Sequence, residues 1–315
     1  MTARLLCIAP NPSIDRLIGV DRLVPGTIHR PTLVRAVAGG KGLNVARAAV
    51  ALGASVTAVG ILGGHGGRWL AQALEADEVT GRFVWTEGET RICTTIADAE
   101  TGRLTEVYEA GPAVAPDIWT GFEREIAAVL ASGNVDAATI SGSLPPGSPA
   151  DGHARLIGLA HDAGVPVAVD GFGDVWTTIL AAGPWLAKAN RAEASVLVGQ
   201  TVTTLDGAAA AAGAIVAGGA AAGVVTLGDT GSVAVLDGVR WRLGPPSNHG
   251  AYPVGSGDAF LAGLVVGHVE GLGAAGSLAL GAGAGAANAQ VAGAGTFDGS
   301  LARELAAATR VDRIG

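Results

Sequence analysis

Short β-branched apolar runs alternate with longer alanine-rich stretches of helical period along most of these 315 residues, and few folds admit that pattern. Runs that read as strands lie at 3–9, 55–61, 135–141, 165–170, 184–188 and 222–227. Helical stretches lie at 42–52, 68–76, 116–131, 150–163, 191–198 and 206–217; a hairpin at 232–243 precedes three more at 257–270, 273–291 and 299–308. Such alternation predicts an α/β protein of three layers, a mostly parallel sheet covered by helices on both faces. Residues 12–37 and 82–109 break the rhythm with strand-like pieces and no helix between them. They predict a small β-sheet lid, leaving 1–11, 38–81 and 110–315 as the main domain.

About half the residues are apolar, enough to bury a large core. The net charge of −8, without a basic patch, argues against nucleic acid as a partner. Cys7 and Cys93 make neither a disulfide framework nor a metal cluster, and a cytoplasmic protein is expected. The apolar run at the N-terminus is too short for a signal peptide. The Ala/Gly stretches at 207–225 and 272–294 are too broken by glycine for membrane spans, so buried helices are expected there. Of the 20 basic residues only Lys41 and Lys188 are lysine. A compact ammonium suits a phosphate as a point charge, which draws attention to both positions.

Six segments carry candidate chemistry. Gly255-Ser256-Gly257-Asp258 runs straight into a helix, where free N–H groups and the helix dipole suit an anion. Asp258 in that first turn is placed to take a proton from a hydroxyl, or simply to stabilise the helix start. Gly39-Gly40-Lys41 with Asn44 one turn on suits polyol and phosphate, but lacks the spacing of a P-loop. Asn11-Pro12-Ser13-Ile14-Asp15 follows the first strand, and Asp15 can accept from sugar hydroxyls or close an Asx turn. Ser141-Gly142-Ser143-Leu144-Pro145-Pro146-Gly147 is a rigid loop at a strand end. In Lys188-Ala189-Asn190-Arg191-Ala192-Glu193, Asn190 and Glu193 suit either a hydrated Mg²⁺ or a capping box. Thr226-Leu227-Gly228-Asp229-Thr230-Gly231 suits a nucleotide contact or a hairpin entry. Arg91 in the lid is a candidate phosphate clamp or a solvated surface residue. The six histidines show no metal-ligand spacing.

Taken in order, these segments resemble the ribokinase-like, PfkB-type carbohydrate kinases over Asn11 to Asn288, and most closely the sugar-phosphate branch containing 1-phosphofructokinases and tagatose-6-phosphate kinases. NPSID, GGKGLN, TR at 90–91, SGSLPPG, KANRAE, TLGDTG and VGSGD carry the resemblance. It implies ATP-dependent phosphorylation of a ketose phosphate, with Mg²⁺. Asp15, Gly39, Gly40, Lys41 and Asn44 would hold the sugar, with Lys41 and Arg91 near its phosphate and Ser141 beside it. Asn190 and Glu193 would order Mg²⁺, the metal being held through water, and Lys188 would lie near the ATP phosphates. Thr226, Gly228 and Gly231 would line the nucleotide site, with Asn288 near adenine. Gly255, Ser256 and Gly257 would form an anion hole and Asp258 would be the base. A homodimer through the lid is implied, with neither nucleic acid nor membrane as partner. Departures gather on the acceptor side: Cys93 and Tyr108 where the branch has asparagine, Gly171-Phe172 after Asp170, and Pro253 before VGSGD. They leave open a kinase of an unphosphorylated sugar or nucleoside, or a non-catalytic sugar-phosphate sensor. A dinucleotide oxidoreductase is disfavoured, because no G-x-G-x-x-G follows the first strand.

Overall fold

The computed structural model describes residues 2–171, 173, 175–245 and 250–314; Phe172 and Asn248 lie outside them. The chain opens with β1 (Arg4–Ala9), β2 (Ser13–Val20), β3 (Leu33–Gly39), α1 (Lys41–Ala51), β4 (Ser55–Gly63), α2 (Gly64–Ala76) and β5 (Thr80–Thr86). It continues through β6 (Arg91–Asp98), β7 (Leu104–Tyr108), α3 (Pro116–Ala131), β8 (Ala137–Ser141), α4 (Gly152–Asp162), β9 (Val167–Asp170) and α5 (Trp176–Ala181). Then come β10 (Leu186–Asn190), α6 (Arg191–Val198), α7 (Leu205–Ala217), β11 (Ala222–Thr226), β12 (Ser232–Leu236) and β13 (Val239–Leu243). α8 (Ser256–Val269), α9 (Gly273–Asn288), α10 (Gly299–Ala308) and β14 (Val311–Ile314) complete it.

Ten strands form one sheet in the order β14-β13-β12-β11-β10-β9-β8-β1-β4-β5. From β5 to β11 every pairing is parallel; the last three are antiparallel. Alternation along β1 explains the two covered faces: Leu5, Cys7 and Ala9 join the core under α1, α8 and α9, whereas Leu6 and Ile8 join Trp119, Phe122 and Ile126 of α3. The Ala/Gly-rich α8 and α9 are buried as expected, and their composition has a steric cause. A Cβ on Gly263 would come 2.6 Å from the Leu280 carbonyl oxygen, so only glycine lets the two backbones approach. Among the described residues no helix is long and apolar enough to cross a membrane.

The small sheet has the order β3-β2-β6-β7. One of the expected boundaries changes. Residues 82–86, assigned from sequence to the lid, belong to β5 and pair in parallel with β4 at the edge of the large sheet. Two elements escape the sequence pattern: α5, whose six residues are too few to show a helical period, and β14, which is ordered by pairing with β13. In the small sheet, Ser13 pairs with both Gly39 and Arg91, and Cys93 pairs with Tyr108. The end that meets the large sheet therefore carries the sheet's candidate site residues.

Candidate active site

Parallel strands bring their carboxyl ends to one edge, and the cleft lies there. The ends of β8, β9, β10 and β11 present Gly142, Asp170, Asn190 and Thr226 to it, while α1 and α8 begin at its floor with Lys41 and Asp258. The cleft holds about 1150 Å³ and is open to solvent. A side chamber is lined largely by small residues, among them Gly228, Gly231, Ser256, Gly257 and Ala286. Thr226, Gly228 and Gly231 thus sit together, as the sequence reading expects.

Asp258 is 6% exposed and accepts a hydrogen bond from Asn44 Nδ2 at 2.9 Å. Burial, reinforced by the negative charge of Asp170, pushes its carboxyl up to about 7. The turn before it is opened by Gly255, whose φ of 82° places it in the left-handed region glycine favours. Across the cleft, Asp15 accepts from Ser13 Oγ at 2.6 Å and from the Gly40 N–H at 3.1 Å. Gly39 explains itself sterically: a Cβ there would stand 2.2 Å from the Asp15 carboxyl carbon. Asp15, Asn44 and Asp258 consequently form one continuous polar wall.

Both lysines converge on a residue to which the sequence reading gave no role. Asp170 is 1% exposed and takes Lys41 Nζ on one oxygen and Lys188 Nζ on the other, each at 2.6 Å. Lys41 also pairs with Glu193 at 2.7 Å. Burial opposes the ammonium of Lys41, but Asp170, Glu193 and Asp258 outweigh it and hold its pKa above the usual value. Burial likewise opposes the Asp170 carboxylate, and the two lysines override it, drawing its pKa below the ordinary range. Lys188 Nζ lies beneath the anion turn, 3.2 Å from where a Gly257 Cβ would stand. The available signal for Asp170 was its place as the single acid ending the strand at 165–170.

Several candidates are already engaged by neighbours. Lys41 lines the cleft with Arg91 and is paired with Asp170 and Glu193. Ser141 is buried by strand alternation at 3% exposure, and the cleft wall falls to Gly142 and Ser143 instead. Asn288 is fully buried: its Nδ2 donates to the Val254 carbonyl at 2.9 Å and to Ser256 Oγ at 3.2 Å, while Oδ1 accepts from Gly295 N. It braces the turn at Gly255 to Gly257 and is not among the residues lining the side chamber. Asn190 and Glu193 form a complete capping box, with Asn190 Oδ1 accepting from the N–H groups of Ala192 and Glu193. Both lone pairs of that oxygen are thereby used within the box, and Asn190 still lines the cleft. Arg91 lines the cleft but donates Nε and Nη2 to the Asn11 carbonyl and Nη1 to that of Glu109. Two of the five N–H groups of a guanidinium then remain for a ligand.

A buried carboxylate, a glycine turn opening onto helix N–H groups and a buried ammonium beneath that turn form an arrangement able to deprotonate an alcohol beside bound phosphates. Among the described residues no three His, Cys, Asp or Glu side chains meet as a metal cage. Asp170 and Glu193 nonetheless keep lone pairs beyond those their partners use, which fits a hydrated Mg²⁺ carried on phosphates.

Comparison with known proteins agrees with this geometry. Residues 9–299 match the family model described as pfkB family carbohydrate kinase. Phosphofructokinase-2 from Escherichia coli, in complex with fructose-6-phosphate, is 27% identical with a TM-score of 0.84, over 98% of each chain. A possible 1-phosphofructokinase from Thermotoga maritima superposes with a TM-score of 0.88 at 24% identity, covering 99% of this chain and 100% of that one. Ribokinase from Arabidopsis thaliana, complexed with ribose and ATP, gives a TM-score of 0.76 at 22% identity, over 97% of this chain and 99% of that one.

Proposed function

Because the chain belongs to the pfkB family of carbohydrate kinases, which are ATP-dependent phosphotransferases, we propose that it phosphorylates a free hydroxyl of a ketose phosphate, with Asp258 as general base. The observation that carries this reading is the seat of Asp258: buried, hydrogen-bonded by Asn44, and one residue past the glycine turn above Lys188. Asp15 and Asn44 orient the sugar hydroxyls, and Gly40 positions Asp15. Asp258 takes the proton of the attacking hydroxyl as the hydroxyl oxygen bonds to the γ-phosphorus and the bond from that phosphorus to the β–γ bridging oxygen breaks, releasing ADP. The N–H groups of Gly255 to Gly257 and the Lys188 ammonium meet the charge on the transferred phosphoryl. Bound Mg²⁺ neutralises donor charge, and Asp170 and Glu193 are the residues to hold its water shell. The small sheet acts as a lid that excludes water.

The acceptor's own phosphate falls to Arg91, with Ser143 beside it on the cleft wall. A second reading, an unphosphorylated sugar or nucleoside as acceptor, draws support from the two carboxylates that engage Lys41. An ADP-release screen with Mg-ATP and fructose 1-phosphate, fructose 6-phosphate, tagatose 6-phosphate and their free sugars separates the two. Turnover of a phosphorylated ketose upholds the first reading, and turnover of free sugars alone upholds the second. Ligand binding without ADP from any acceptor overturns both in favour of a sensor.

The homodimer expected from sequence has its natural surface on the outer face of the small sheet. Val34 and Val107 are 59% and 60% exposed there, on strands whose alternate residues face the cleft. Sedimentation should give a dimer for the wild type and a monomer for Val34→Glu; an unchanged dimer would remove this face from the assembly.

A further inference from the structure

Beneath the small sheet a small recess opens off the acceptor end of the cleft. Its walls come from two bodies: Leu17, Val37, Cys93 and Tyr108 from the inner face of the small sheet, Tyr252 and Val254 from the main domain. Asp15, Cys93, Tyr108 and Val254 line both the recess and the cleft, so the two spaces are continuous. We propose that this recess receives an apolar substituent of the acceptor, an alkyl or aromatic group on the sugar, and that Cys93 and Tyr108 select for it.

The sheet register brings the pair together. Cys93 and Tyr108 lie fifteen positions apart in the chain but directly opposite each other across the β6–β7 ladder, and Cys93 also pairs with Asp15. Side chains at paired positions share a face, so Val37, Asp15, Cys93 and Tyr108 stand in one row across the small sheet, with the thiol next to the carboxylate and the phenol ring beyond it. The phenol hydroxyl donates to Glu106 at 2.6 Å, so its proton is already engaged. Polar groups at the recess are the Asp15 carboxylate, the hydroxyls of Thr95, Tyr108 and Tyr252, and the exposed Arg16 and Arg35. A polyol seated against Leu17, Val37 and Val254 would leave hydroxyls without partners, whereas an apolar group loses only water. Arg91 is not among the lining residues, so the inference holds whether or not the acceptor carries a phosphate.

This proposal rests on the kinase reading of the same site, and one experiment tells their failures apart. The probes are methyl, butyl and phenyl glycosides of fructose and ribose beside the parent sugars, with Mg-ATP and the intact protein. The expected result is a kcat/KM about tenfold or more higher for the phenyl or butyl compound than for its parent, in the range a hydrophobic pocket discriminates. Tyr108→Asn and Cys93→Asn should abolish that preference, lowering kcat/KM for the substituted sugars more than for the parent. Tyr108 is 52% exposed, so its variant tests the site without threatening the fold. Equal or lower kcat/KM for the substituted sugars, or a preference for an added anionic group, overturns the recess assignment alone. Absence of ADP with every probe and every sugar phosphate overturns the kinase reading beneath it.

Discussion

Replacing Asp258 by Asn leaves the protein folded and lowers kcat by at least about 10²-fold, the lower range for loss of a general base. The amide keeps the shape of the carboxyl and its contact with Asn44, so KM for either substrate changes far less than kcat. The wild-type pH profile carries the same information. A base acts only when deprotonated, and burial together with the charge of Asp170 favours the protonated form up to about pH 7. Activity at fixed Mg-ATP therefore rises through about pH 7 in the wild type, and the residual activity of Asp258→Asn lacks that limb. Stability moves the opposite way. The folded-state pKa stands above the ordinary 3.8, so the folded protein holds the proton more tightly and loses stability as pH climbs toward 7. At pH 8 the Asn variant should melt no lower than the wild type. Near-normal turnover by this variant removes Asp258 from its role.

The largest expected loss of stability follows Asp170→Asn. Its two carboxylate oxygens hold two ammonium groups at 2.6 Å, and Lys188 is only 2% exposed. Removing one partner of a buried ion pair strands the other, which costs about 3–5 kcal/mol. Because the folded pKa of Asp170 is depressed, its stabilisation is present above the ordinary carboxylate value of 3.8 and fades as pH falls below it. The difference in Tm between wild type and variant should consequently be large at pH 7 and shrink in acid. Activity supplies an independent readout: without the negative charge of Asp170, the two lysines act on Asp258 unopposed and its limb moves to lower pH. Equal melting of both proteins at neutral pH would show that the lysines find other partners and that Asp170 is no hub.

Local chemistry was readable wherever function needs a run of neighbouring residues. The turn Gly255-Ser256-Gly257-Asp258 announces a helix start suited to an anion, since free N–H groups and helix dipole follow from backbone geometry alone. Alternating strand and helix periods likewise announce the buried parallel sheet, because only that sheet covers both faces of such strands. Lys41 and Lys188 stood out by rarity, and both do reach the site.

Partnership was another matter. Lys41 and Glu193 are 152 positions apart and Asn44 and Asp258 are 214 apart, and nothing in either neighbourhood encodes the other. The sequence by itself determined the layered α/β class and where its glycine-led helix starts fall, for these depend on contacts within a few residues. Only the folded molecule decided that Asp170 joins the two lysines, that Asn288 braces the anion turn, that residues 82–86 leave the small sheet, and that Cys93 stands opposite Tyr108. The physical reason is that strand order and register are chosen by how whole faces bury together, a sum over the entire core that no single segment contains.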